Sequence, residues 1–152
     1  MNINEVSFGK YISVIMRHQR IVLDHAFKKF GFSSGQHGFF LEIATHEGLN
    51  QKELADRRKM TKGTTNKAIK KLEEDGFVRT QIDPSDKRLH CVFLTDHGRE
   101  IVFEVRKTLM TYSQNLTEGL DDDTKTVVYR ALEHMATNVK TMADQIKGDS
   151  DA

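Results

Sequence analysis

The chain holds one cysteine, one proline and no tryptophan in 152 residues. A lone cysteine leaves no internal disulfide, which fits a reducing cytoplasm. No stretch of 18 or more apolar residues occurs, which excludes a membrane-spanning helix. The opening MNINEVSFGKYISV lacks the basic and apolar regions of a secretory signal. Catalytic signatures are missing too: no G-x-S-x-G, no phosphate-binding loop and no clustered acid–base set. The seven histidines form no H-x-x-H or H-x-x-x-H pair, so His18, His25, His37, His46 and His134 read as surface or core residues rather than metal ligands. These absences argue against an enzyme and against a metal or other cofactor, and for one soluble cytoplasmic domain.

What is present is unevenly laid out. The net charge is only +1, yet residues 51–90 hold eleven Lys/Arg against seven Asp/Glu, a local +4. Residues 121–152 hold four against seven, a local −3. A basic middle suggests an anionic partner there. Ordinary solvated helix faces are the bland alternative.

Helical periodicity dominates. Phe8, Tyr11, Ile12, Ile15, Val22, Leu23, Ala26, Phe27 and Phe30 recur at spacings of three and four, a stripe on a helix of about six turns stopped by Gly31. Ser33-Ser34-Gly35-Gln36 has the form of an S-x-x-Q capping box opening a helix through Phe39, Phe40, Ile43 and Ala44, with Gly48 closing it. Asn50-Gln51-Lys52-Glu53 caps a third, short helix with Leu54 and Ala55 inward, which ends near Lys59. Thr61 caps a fourth, with Thr65, Ala68, Ile69 and Leu72 buried and Gly76 as its stop. Two short helices joined by a tight turn make a helix-turn-helix.

A hairpin follows directly. Phe77–Ile82 and Leu89–Leu94 read as strands around the turn Asp83-Pro84-Ser85-Asp86. Alternation places His90, Val92 and Leu94 on one face and Leu89, Cys91 and Phe93 on the other. Thr95-Asp96 caps a long helix with Ile101, Val105, Leu109, Tyr112 and Leu116 in line. After Thr117-Glu118-Gly119, the acidic Asp121–Asp123 opens a last helix, striped by Val128, Ala131, Leu132, Met135, Val139, Met142 and Ile146. The tail GDSDA is expected to fray. The expected fold is mainly α with a small β-hairpin wing.

The run from Gln51 to Glu100 resembles the winged helix-turn-helix of the MarR family of transcriptional regulators. Ser34-x-Gln36, Leu72-Glu73-x-x-Gly76-Phe77-Val78, Asp86-Lys87-Arg88 and Leu94-Thr95-x-x-Gly98 stand in the family's order and spacing. The resemblance covers nearly the whole chain. It implies a single domain over 1–152, with the DNA-binding lobe at 33–95 and dimerisation helices at 1–32 and 96–148. It also implies a homodimer on palindromic operator DNA, usually a repressor. A small phenolic or carboxylate effector in the cleft between the two parts then changes the affinity. A redox- or metal-responsive member, or a winged-helix module that binds protein, are the alternatives.

Specific residues follow from groove chemistry. A recognition helix needs a polar face with base-readers near its start and cations toward phosphates. Lys62, Thr64, Asn66, Lys67, Lys70 and Lys71 avoid the buried stripe and supply that face, with Thr61 aiming the first N–H groups outward. Asn66 suits an adenine edge, and Lys70 and Lys71 suit phosphates. In the wing, Arg88 is matched to a narrow minor groove, Lys87 adds a phosphate contact, and Asp86 steadies the tip through an ion pair. Solvated helix and turn residues are the plain alternative for both sets. Cys91 has no basic cluster near it in sequence, so it reads as a strand filler rather than a sensor. By the resemblance, Tyr11, Arg17, His37 and Phe40 line the effector cleft, with dimer packing as the equal alternative.

Overall fold

The computed structural model describes residues 7–33 and 35–150. Six helices and one hairpin follow in the expected order: α1 Phe8–Phe27, α2 His37–Thr45, α3 Gln51–Arg57, α4 Lys62–Glu74, β1 Val78–Ile82, β2 His90–Leu94, α5 Asp96–Leu116 and α6 Asp122–Ser150. Residues 1–6, Ser34 and residues 151–152 lie outside the described set, and with them part of the opening stretch, of the first capping motif and of the tail. Helix α6 continues through the start of that tail to Ser150. The chain divides into two compact units, residues 1–110 and 111–152, with the division within α5.

Capping chemistry sets the ends. Ser7 accepts from the Lys10 N–H to start α1, which tightens into a 3₁₀ turn at Lys28–Phe30 before Gly31. Asn50 and Glu53 form a complete reciprocal capping box on α3. The expected box on α2 is different. Gln36 is the N-cap residue, and its Oε1 accepts from both the N–H and the hydroxyl of Ser33, at 2.8 and 2.7 Å. The Gln36 side chain makes no capping bond to an α2 N–H. Helix α2 ends at Thr45, before Gly48, because the next residues run beside β2. Gly48 N–H donates to the Val92 carbonyl, Val92 N–H donates to Leu49, and Asn50 bridges Cys91.

The hairpin is antiparallel, with Val78 opposite Leu94 and Ile82 opposite His90. Val92 and Leu94 face inward as alternation predicts. Phe77 and Leu89 fall just outside the strands. Phe77 is instead a core residue, its ring 4.3 Å from Phe32 and 6.1 Å from Phe40. In the first unit the core gathers Leu23, Phe27, Phe40, Ile43, Leu54, Leu72, Val92 and Val105, each fully buried.

The junction of α4, β1 and α5 is tightly bound. Gly76 takes a left-handed φ of 79° that ends α4. Thr95 Oγ1 donates to the Gly76 carbonyl at 2.6 Å and accepts from Gly98 N–H, while Thr95 N–H donates to Phe77. A Cβ at Gly98 would overlap the Phe77 carbonyl, which explains the glycine in Leu94-Thr95-x-x-Gly98.

The apolar stripes of α1 and α6 are another matter. Phe8, Tyr11, Ile12, Ile15 and Val22 are exposed, and so are Val128, Leu132, Val139, Met142 and Ile146. Helix α6 has no fully buried residue among its described side chains. Leu23 and Phe27 at the end of the α1 stripe join the core, but most of the rest of both stripes stays exposed among the described residues.

Candidate nucleic-acid interface

Helix α4 is rooted by Thr65, Ile69 and Leu72, all buried, and this fixes its rotation about its own axis. The opposite face is exposed and holds Lys62, Thr64, Asn66, Lys67, Lys70 and Lys71. Thr61 is the N-cap, its Oγ1 accepting from Thr64 N–H at 3.2 Å and donating to the Thr64 hydroxyl at 2.9 Å. Among the described residues the side chains of Lys62, Asn66 and Lys67 form no hydrogen bond or ion pair, so they meet a partner at little cost.

The two lysines expected at phosphates already have acidic neighbours. Lys70 lies 3.9 Å from Glu74, a loose exposed pair. Lys71 holds Asp75 at 2.7 Å, and that hydrogen bond pushes the ammonium pKa up. Burial alone would raise the Asp75 carboxyl. Hydrogen bonds from Lys71 and Gln36, with the charge of Lys71, outweigh it and hold Asp75 below its usual range.

The wing tip is organised by two aspartates. Asp83 Oδ1 accepts from Ser85 N–H at 2.7 Å and Asp86 N–H at 3.2 Å, and also from the Ser85 hydroxyl. Asp86 accepts from the Arg88 N–H, Nε and Nη2 at 3.0 to 3.3 Å, and these bonds lower its pKa. The guanidinium is thereby oriented, yet its side chain stays 90% exposed. Being exposed, the pair contributes little stability; its effect is to aim Arg88. Lys87 is exposed beside it. Arg79 lies over the Phe93 ring at 5.2 Å, and Glu73 accepts from Thr80 N–H at 2.8 Å, which ties α4 to β1. In sequence Glu73 stood out only as part of a motif, and the hydrogen bond supplies its reason.

Cys91 sits 3.7 Å from Asp83 Oδ2. Partial burial, then the negative charges of Asp83 and Glu53, push its thiol up, away from the reactive thiolate. Among the described residues no group of three or more His, Cys, Asp or Glu is placed to hold a metal.

The four residues expected at an effector cleft are not brought together within this chain. A cleft of about 590 Å³ opens between α1, the start of α2 and the end of α3, and His37 lines it. Phe40 is fully buried against Phe32 and Phe77 because its position points into the core. Tyr11 and Arg17 lie exposed on α1, away from the lining. Arg20, Arg58 and Ser33 line it instead. Arg58 lies across Gly38, where any Cβ would collide with it, and over the Phe39 ring at 5.5 Å. Arg57 pairs with Glu42 at 3.4 Å, so this cation of the helix-turn-helix turn is held against α2.

A sequence model of the MarR family matches residues 30–89, from before α2 to the wing tip. The transcriptional regulator AdcR of Streptococcus pneumoniae is 30% identical over 124 residues, covering 79% of this chain and 84% of that protein. Among solved structures, a MarR transcriptional regulator from Methanosarcina mazei Go1 is 33% identical with a TM-score of 0.77, covering 88% of this chain and 96% of that one. A MarR family regulator from Listeria monocytogenes, solved with a 26mer DNA, shares the fold at 21% identity and a TM-score of 0.86, over 94% and 95% of the two chains.

Proposed function

Since the chain belongs to the MarR family of DNA-binding transcriptional regulators, we propose that it acts as a cytoplasmic homodimeric repressor on a palindromic operator, modulated by a small ligand. The observation that carries the DNA contact is the pairing of an exposed, lysine-rich face on α4 with an exposed, aspartate-aimed Arg88 on the wing. Helix α4 enters the major groove, where Asn66 and Thr64 meet base edges and Lys62, Lys67, Lys70 and Lys71 lie toward phosphates. Thr61 holds the first turn in place. Arg88 enters the adjacent minor groove, with Lys87 on the backbone and Asp86 as the anchor.

The dimer is supported by the uncovered stripes. The ten stripe residues of α1 and α6 named above lie exposed. Each is worth about 1.5–3 kcal/mol when fully buried. Since these side chains are already part-buried, the gain is about half of that sum, of the same order as the roughly 4–15 kcal/mol that association costs. Two recognition helices on a two-fold axis then read half-sites about 34–36 Å apart.

The ligand reading rests on the cleft. Its volume suits a small molecule, and Arg20, Arg58 and His37 in its wall favour a phenolic or carboxylate effector.

Fluorescence anisotropy with DNA from upstream of the protein's own gene tests this function. Tight binding with steep loss in added salt is expected. Affinity no better than for scrambled DNA would remove autoregulation.

A further inference from the structure

One buried amide stands apart from these sites. Gln36 is 4% exposed and uses both ends of its side chain. Its Oε1 accepts from the Ser33 N–H and hydroxyl, and its Nε2 donates to Asp75 Oδ2 at 2.9 Å. Asp75 Oδ1 in turn receives Lys71 Nζ at 2.7 Å. A backbone donor on one side and a carboxylate on the other leave only one orientation of the amide. Gln36 is the N-cap residue of α2 and Asp75 the C-cap residue of α4, so one side chain joins the start of one helix to the end of the other.

That end matters because of leverage. A 13-residue helix is roughly 20 Å long. A tilt of about 5° at its C-terminal end moves its first turn by roughly 1.7 Å. Base-edge hydrogen bonds do not survive such a shift.

We propose that Gln36 is the positioning residue of the recognition helix, fixing the end of α4 on the start of α2 and so aiming Thr64, Asn66 and Lys67. This rests on the reading of α4 as the DNA-reading helix.

Gln36→Glu tests it. One carboxylate oxygen keeps the Ser33 bonds, but the other faces Asp75 across the former hydrogen bond. Two carboxylates that close share a proton, and the pair takes a raised pKa. The charged groups around them are Lys71 and, beyond it, Glu74 on α4; on α2 the neighbouring His37 ring is stacked on Phe27. A raised pKa means the tie is present at low pH and lost as pH rises through it.

The measurement is anisotropy on labelled duplex from upstream of the gene, each variant compared with wild type at the same pH. Gln36→Glu is expected within about threefold of wild type near pH 5.5 and about tenfold or more weaker near pH 8.5. Gln36→Met, similar in volume with no donor, is expected to bind more weakly at both. Hydrogen exchange of amides 72–76 in the free protein, again against wild type, should rise only in Gln36→Glu at high pH and in Gln36→Met at both. Circular dichroism and oligomeric state check that the variants fold. Wild-type affinity and exchange in both variants overturn the proposal. Failure of wild type to bind any duplex sinks the DNA reading instead, and exchange still decides whether the amide holds the helix.

Discussion

The lobe around α4 and the long helices α1 and α6 use the same apolar alphabet to opposite ends. In the lobe, Phe40, Ile43, Leu54 and Leu72 are fully buried within one chain. Along α6, Leu132 is 48% exposed and Ile146 68%, though their spacing is as regular. Periodicity therefore says which face of a helix is apolar, and says nothing about whether the same chain covers it. The lobe fills its core together with Leu23 and Phe27 of α1 and Val105 of α5. Most of the rest of the α1 and α6 stripes stays exposed among the described residues.

Substitutions can sharpen or break that contrast. The largest effect is expected from Phe40→Ala, which empties a site in a complete core and should cost about 3–5 kcal/mol. Its loss of Tm should not depend on protein concentration. On the other side, Leu132→Asp should cost several kcal/mol of association by placing an unpaired charge in the proposed interface. Sedimentation should then show monomer, with a Tm that no longer rises with concentration. A Leu132→Asp protein that stays dimeric would break the comparison.

Smaller effects separate reading from folding. Arg88→Ala should weaken operator binding by about 1–3 kcal/mol while sedimentation and Tm stay unchanged. Unchanged affinity across a salt titration would take Arg88 out of the mechanism. The smallest shift is expected from Gly63→Ala. Open space surrounds that position, so alanine should stabilise α4 by about 0.5–1 kcal/mol. If DNA approaches the first turn closely, operator affinity should fall as Tm rises, and a parallel rise of both would rule out close approach there.

Much of this was legible in the sequence because its causes are local. Asn50 and Glu53 spell a capping box that forms in full, and Asp83-Pro84-Ser85-Asp86 is turn chemistry that makes a turn. The element order, the winged helix-turn-helix and the family all followed. What stayed hidden depends on residues distant in sequence. Gln36 reads as half of a cap until Asp75, 39 residues on, takes its other end. Lys71 reads as a free cation until the same aspartate pairs with it. Spacing alone carries none of these.

The Thr95 junction has a consequence for anyone wishing to transplant the DNA-reading part. A cut at the β2–α5 boundary looks natural on a linear map. Yet Thr95 closes the end of α4 with one hydrogen bond and opens α5 with another, and Gly98 presses against Phe77. The portable unit therefore includes the first turn of α5, and a chimaera joined before Thr95 would carry a recognition helix without its latch.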